Sequence, residues 1–504
     1  MSDNKIVYTT TGAFILPYTI GQQKILERET STFDKIYHKW IPHTGFYNDK
    51  LNIFATYNMN HDTLVQLFPD YKIVYMNSLK GKYMKRAYNM NVELNKYQNN
   101  AITQLMGIHG HEAYINIPTA SGKTVLAVSY ITMNGKKTFI MCYASRILAQ
   151  WISTFEQKTD IDPNRVLSLD SSEMMNSFLL PESERKKKHP KAEDYDIFLC
   201  TTSMLDMFGK RYGYEKIQPL FAELGIGLKI IDEAHTRLGT TIRLNAYTSV
   251  DKTLYLSADF NQANRELMYH FRKVFRQVPV IKLEERLMDE LRHITAINVI
   301  FKSNPSVEDR ATISNNKYSW SNIDYARYEF DRCHDMMRII NTTIRGIVDG
   351  EVNITNEKPY KILILTQLIE HVDFIYDNIE TLGRSKSKLY SNMESEDKTS
   401  AISADIIVST YKSFSTGIDV TNPQIRHVIS TTPVDVVTSN QSAGRCRPII
   451  GLKSYFWMLQ DYAFEYCSAN AQRVIKYLKT NKIGDTTEFN LVGGDGNDRI
   501  QMQS

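Results

Sequence analysis

Cysteine, tryptophan and proline are scarce in this 504-residue chain, which holds 5, 4 and 14 of them. The cysteines (Cys142, Cys200, Cys333, Cys446 and Cys467) are dispersed. No pair has the spacing of a zinc ligand set or a redox motif, and an odd, scattered set fits a reducing cytosol rather than a disulfide scaffold. No apolar run reaches the ~18 residues of a membrane span. The N-terminal MSDNKIVYTT lacks the basic-then-apolar order of a secretory signal. The expected location is therefore cytoplasmic, with no membrane partner. An excess of one charge sign is missing too: 60 Lys and Arg face 56 Asp and Glu, for a net +4. Any polyanionic partner must then be met by locally placed cations rather than by a field over the whole surface. No cluster of acids with a lysine, as a nuclease would need, stands out.

What is present is an ordinary globular composition, 42% hydrophobic and 23% charged, at a length that suggests about three domains. One stretch organises the chain. Ile115 to Thr124 reads INIPTASGKT. Its apolar front half has β character, and Pro118 ends the strand because it has no ladder N–H to donate. Thr119, Ala120, Ser121 and Gly122 make a tight loop, and KTVLAVSYITM continues as a buried helix. Strand, small-residue loop, Lys-Thr and helix form the layout of a phosphate-binding loop. Backbone N–H groups of the loop and helix start face an anion. Lys123 reaches the β- and γ-phosphates, and Thr124 offers a hydroxyl to Mg²⁺. The first Gly of the usual pattern is absent, Ile117 holding its place, so a chance Lys-Thr at a helix start competes for this stretch taken alone.

Around it, strands and helices alternate. NKYQNNAITQLMG predicts an amphipathic helix carrying Gln98, whose amide suits an adenine edge. KTFIMC, YDIFLCTT, LKIID and KTLYLS predict further strands. They leave Ser145 and Arg146, Thr201 and Thr202, Asp232 and Glu233, and Ser257 to Asp259 at or just beyond their C-terminal ends. An acidic pair after an apolar strand has chemical meaning beside a phosphate loop: Asp232 holds Mg²⁺ through water and Glu233 deprotonates the attacking water. That proximity requires a parallel sheet, whose strand C-terminal ends share one crevice. The second half repeats the pattern with YKILILT, ADIIVST, RHVIST and YFWMLQD. The predicted fold is thus α/β: two tandem domains with mostly parallel sheets, at 89–285 and 286–484. A small N-terminal α+β accessory domain precedes them at 1–88, and a flexible tail closes the chain at 485–504. Two basic stretches, Leu79 to Tyr88 and Arg185 to Lys191, read either as nucleic-acid contacts or as solvated faces. The second sits in a polar segment, Asp170 to Asp194, expected to be an exposed loop.

The order PTASGKT, DEAH, SAD, STGID, QSAGRCRP resembles superfamily 2 helicases and translocases over about residues 90 to 480, with a DEAH-box-like core. Within that group the layout is most similar to phage UvsW-type DNA helicases, with poxvirus transcript-release helicases as a related set. The resemblance implies that ATP and Mg²⁺ bind between two RecA-like domains and that nucleic acid runs across both. It implies that Gln98 reads adenine, that Pro118, Thr119, Ala120, Ser121, Gly122, Lys123 and Thr124 cradle the phosphates, and that Thr124 and Asp232 hold the metal. Glu233 is then the base, with His235, Ser257 and Asp259 coupling ATP state to the nucleic-acid side. Gly417 and Asp419 contact nucleotide and strand. Gln441, Arg445 and Arg447 belong to the motif that supplies the arginine finger, which is either Arg445 or Arg447. Ser145, Arg146, Thr201, Thr202, Thr366 and Thr410 lie where the family holds the nucleic-acid backbone.

Asp259 departs from the usual Thr of the coupling motif. The expected activity is that of an ATP-dependent DNA helicase or translocase on single-stranded or branched DNA. It would be a monomer serving phage or viral replication, recombination or repair in the host cytoplasm, with possible replication or recombination partners. An RNA helicase or transcript-release ATPase, and an ATP-gated nucleic-acid clamp working through partners, are the alternatives.

Overall fold

The computed structural model describes residues 4–18, 26, 28–34, 38–117, 122–184, 189–257, 265–282, 293–313, 320–332, 335–351, 360–390, 392–415, 424–446, 453–479, 483–491 and 500–502. The chain divides into two units, 1–283 and 284–504.

The first unit opens with strands β1 (Lys5–Tyr8), β2 (Gly12–Leu16), β3 (Ser31–Asp34), β4 (Lys39–Pro42), β5 (Gly45–Asn48), β6 (Ile53–Tyr57) and β7 (Lys72–Tyr75). Five of them form a sheet in the order β5-β6-β2-β1-β7, while β3 and β4 pair as a hairpin. This sheet does not close a core of its own. Ile6, Ile15, Phe54, Leu64 and Phe68 pack in one apolar cluster with Leu205, Phe208, Ile242, Leu244 and Tyr255 from further along the chain. The docking is tight at Gly12, where a Cβ would lie 2.8 Å from the Ala246 Cα. Residues 1–88, expected as an accessory domain, therefore share their interior with the central sheet of the same unit and its helices.

That central sheet holds β8 (Glu112–Asn116), β9 (Thr138–Cys142), β10 (Val166–Ser168), β11 (Ile197–Thr201), β12 (Leu228–Asp232), β13 (Lys252–Ser257) and β14 (Val280–Ile281). Their order is β10-β11-β9-β12-β13-β8-β14, and every pairing is parallel. Helices cover both faces, so strands such as TFIMC are buried at every position, the near-continuous apolar run of a doubly covered parallel sheet. Successive residues still part by face. Phe139 and Met141 join the cluster shared with the N-terminal sheet, while Ile140 and Cys142 face a second cluster with Trp151 and Phe155. Between β10 and β11 the polar segment expected as a loop contains a short helix, Ser172–Ser177, capped by Ser171 and burying Met175.

Residues 79–91 form a strap across the sheet at the N-terminal ends of its strands. Leu79 N–H donates to the Ser249 carbonyl, Lys82 N–H to Gly225 and Met84 N–H to Gly135. Lys85 N–H donates to Asp196 Oδ1, and Asn89 N–H to Asp160 Oδ1. The first four anchors precede β13, β12, β9 and β11, which is their order in the sheet. Asp196, fully buried, also accepts from Arg165 and the Tyr88 hydroxyl.

The second unit carries β15 (Ile294–Phe301), β16 (Lys361–Thr366), β17 (Lys386–Leu389), β18 (Ile406–Thr410), β19 (Ile425–Ser430), β20 (Ser454–Asp461), β21 (Ile483–Leu491) and β22 (Ile500–Met502), in the order β17-β18-β16-β19-β20-β15-β21-β22. All pairings are parallel except the last, β21 with β22. Within the segment expected as a tail from 485, Asp485 to Asn490 pair in parallel with Thr295 to Ile300 of β15. Two parallel α/β sheets in tandem agree with the predicted RecA-like fold.

Candidate active site

The C-terminal ends of β8, β13 and β12 lie side by side, and the sequence puts its chemistry there. Beyond β8, the helix Lys123–Asn134 starts from Gly122, whose φ of +79° is left-handed, a conformation that favours glycine. A Cβ at Gly122 would also sit 2.4 Å from Gln98 Nε2, so Gly122 and Gln98 are packed against each other. Gln98 is buried at the start of the helix Lys96–Met106. Its Oε1 accepts from Asn95 N–H while Asn95 Oδ1 accepts from Gln98 N–H, a reciprocal cap.

Lys123 Nζ reaches back to the Ile117 carbonyl at 3.5 Å. Its charge acts on Asp232, which ends β12. Asp232 Oδ1 accepts Glu233 N–H at 3.0 Å, and Oδ2 accepts the Trp151 indole N–H at 2.9 Å. Loss of hydration, then the neighbouring Glu233, raise its pKa, opposed by the Trp151 hydrogen bond and by Lys123. A carboxylate raised in this way gains from a cation beside it. With the Thr124 hydroxyl it offers the hard oxygen donors that suit Mg²⁺, an ion held by one or two protein ligands together with substrate phosphates.

Glu233 turns the chain sharply, with a φ of +48°. Such a backbone costs about 1–3 kcal/mol and is concentrated at functional sites. The turn brings Glu233 Oε2 to 3.3 Å from His235 Nδ1, which lies 2.6 Å from Ser257 Oγ at the end of β13. The acidic pair, His235 and Ser257 thus form one connected set. Residues 91–262 match the family described as Type III restriction enzyme, res subunit. The match covers about a third of the chain and marks that stretch as a helicase-type domain. The subunit XPB of the general transcription and DNA repair factor IIH helicase/translocase from Encephalitozoon cuniculi is 24% identical over 172 residues, 33% of this chain and 24% of that protein. The chain thus spans about a quarter of the relative's length. In fold, S. cerevisiae Dbp5, in a structure bound to RNA and ADP BeF3, superposes with a TM-score of 0.51 at 12% identity, over 79% of this chain and 90% of Dbp5. T4 UvsW aligns over 97% of this chain and all of its own, at 14% identity, but with a TM-score of 0.33 that carries no weight.

Other expected site residues of the helicase-type domain and the second unit separate by exposure. Ser145 and Arg146 are exposed at the start of the helix Ser145–Lys158, beyond β9. Thr201 caps the next helix by accepting Met204 N–H at 3.1 Å. Thr202, Thr366 and Thr410 are buried. The Thr202 hydroxyl is turned to the Cys142 carbonyl and that of Thr410 to Ser413. The hydroxyls of Thr202 and Thr410 are thus engaged within the fold, and Thr366 is buried at the end of β16. In the second unit Gln441 lies on the helix Val436–Ala443, and the Arg445 guanidinium sits 5.6 Å from the Phe414 ring centre. Pro118, Thr119, Ala120, Ser121, Asp259, Gly417, Asp419 and Arg447 lie outside the described residues.

Trp151 was not singled out in the sequence. Its spacing with Ile147 and Phe155 announces only the buried face of a helix. Nothing in that pattern reveals that its indole N–H reaches Asp232. Among the described residues no cluster of three metal-ligating side chains exists, and no helix is long and apolar enough to cross a membrane.

Proposed function

We propose that the chain is an ATP-driven helicase or translocase acting on DNA, single-stranded or branched. The observation that carries this reading is the joined set at the strand ends: Lys123, Asp232, Glu233, His235 and Ser257. In this reading Lys123 binds the β- and γ-phosphates and Gln98 faces the adenine. Thr124 and Asp232 are the donors for Mg²⁺, which when bound neutralises charge between those phosphates. Glu233 orients the attacking water and takes its proton. His235, held between Glu233 and Ser257, senses whether that carboxylate is engaged. Gly417 and Asp419 serve nucleotide and strand in the second unit. Gln441 with Arg445 or Arg447 supplies a cation to the γ-phosphate during turnover. Ser145, Arg146 and Thr201 are proposed to hold the strand, and phage replication, recombination or repair is the proposed setting.

RNA is the rival substrate, since the fold neighbour Dbp5 carries RNA in its structure. The deciding experiment is steady-state ATP hydrolysis at one fixed low salt, without nucleic acid and with single-stranded DNA, forked DNA or RNA. Stimulation by DNA supports the proposal. Stimulation by RNA alone replaces it, and no stimulation by any of them favours an ATP-gated clamp. In the same assay Glu233→Gln should bind ATP yet lose about 10²–10⁴-fold in kcat, the range for a general base. Parental turnover in that variant would sink the assignment.

A further inference from the structure

The strap of residues 79–91 lies at the far end of the central sheet from Lys123, Asp232 and Ser257. The five residues of β12 alone separate the two ends by about 16 Å. Along the strap Lys80, Lys82, Tyr83, Lys85 and Arg86 are all exposed. The nearby acids are already engaged. Asp160 pairs with Arg86 at 3.2 Å, Asp251 with Lys136 at 2.5 Å, and buried Asp196 with Arg165. Among the described residues Lys80, Lys82 and Lys85 have no carboxylate within ion-pair distance. Tyr83 is 74% exposed, with the Lys136 ammonium 6.0 Å from its ring centre. Backbone hydrogen bonds to successive strands fix the strap, so these cations rise from an anchored backbone rather than from a flexible tail.

We propose that the strap is a second nucleic-acid site, which holds the phosphate backbone of a duplex arm away from the ATP-driven strand path. The strap carries a single exposed ring, Tyr83, whereas single-strand sites combine a groove with several stacking rings. Several point charges on a fixed backbone suit a regular phosphate array, whose binding is electrostatic and independent of sequence. Lys80, Lys82 and Lys85 make the phosphate contacts, and Tyr83 packs against the sugar edge. The proposal rests on the nucleic-acid motor reading above, and assigns that motor a fixed grip on the arm that is not being tracked.

The test titrates the full chain with a fluorescent blunt DNA duplex and with a single strand, each over a series of salt concentrations. The Lys80→Glu, Lys82→Glu, Lys85→Glu triple variant is compared with the parent, and a Lys→Gln triple at the same positions serves if charge reversal prevents folding. Each phosphate contact contributes about 0.9 to the slope of log affinity against log salt. The duplex slope should therefore shrink by about 2.7 in the variant, with duplex affinity at low salt down about tenfold or more. ATP hydrolysis stimulated by the single strand should keep its kcat. An unchanged duplex slope overturns the proposal. So does a parallel loss of single-strand stimulation in a variant that keeps the parental Tm, because the lysines would then belong to the motor path. If the parent binds duplex through these lysines but no nucleic acid stimulates its ATPase, the motor reading fails and the strap site stands.

Discussion

At the scale of the residue, the proposed phosphate and metal chemistry would rest on few groups. Asp232 has two oxygens, and each already accepts one hydrogen bond, from Glu233 N–H and from the Trp151 indole. Both bonds fix the rotation of the carboxylate, which decides where its remaining lone pairs point. Trp151→Phe keeps the buried ring and removes the donor. It should raise the Mg²⁺ concentration for half-maximal ATP hydrolysis about 10- to 100-fold, the usual effect of losing an outer partner of a metal ligand. Turnover at saturating Mg²⁺ should stay near the parental value. An unaltered Mg²⁺ dependence would mean that the contact is packing alone. The sequence singled out Lys123, Thr124, Asp232 and Glu233 as candidates because their proposed chemistry is tied to short, ordered motifs, and the structure brings Lys123, Asp232 and Glu233 together. It left Trp151 unread because an indole on an apolar helix face looks like any core residue until its polar atom is located. Thr366 and Thr410 mark the opposite limit: a strand's end could be read, but not whether the last side chain turned inward.

At the scale of the element, the strands beneath the site carry two ionisable groups, Lys229 buried and Glu112 half-buried. Glu112 begins β8 and accepts the Tyr255 hydroxyl at 2.6 Å, and Asn245 donates to that same hydroxyl at 2.9 Å. Lys229 on β12 donates to Asn245 Oδ1 at 2.9 Å and Thr248 Oγ1 at 2.7 Å. Burial pushes Glu112 up to about 7 and Lys229 down to about 7. The signs oppose. The folded state favours protonated Glu112, so its contribution is full below the ordinary value of 4.5 and is lost as pH rises through about 7. It favours neutral Lys229, so that contribution is full above the ordinary 10.5 and is lost as pH falls through about 7. Together they place a trough in stability near neutrality. The Tm of the Glu112→Gln, Lys229→Met double variant, minus that of the parent, should peak near pH 7 and decline toward both pH 5 and pH 10. A difference that is flat with pH would refute the trough. These strands were legible from their apolar runs. Their buried charges were not, since period and propensity say nothing about which strand residue carries a proton inside the core.

At the scale of the molecule, alternation of strands and helices was enough to foretell two parallel sheets, because that pattern has few other solutions. Independence of the first 88 residues was the harder matter, since a change of motif content is not a change of core. Ile6, Ile15, Phe54 and Leu64 bury themselves against Ile242, Leu244 and Tyr255 of the helicase-type domain. A chain lacking residues 1–77 should therefore expose that apolar face. It should lose its cooperative thermal transition and aggregate on expression, where removal of a separable module would leave both unchanged. The resemblance to helicases was carried by motifs, so it reached the residues within them and was silent on the strap and on the added strands β21 and β22.

The strap draws its regularity from the sheet beneath it. Its anchors fall on β13, β12, β9 and β11, neighbours in the sheet, and adjacent strands are about 4.8 Å apart. Its lysines are thus mounted on a scale graduated by hydrogen-bonded strands, not by the strap's own sequence. A residue inserted between two anchors would bulge outward and leave the other graduations in place. The pitch of the row can change only if the sheet itself is rebuilt.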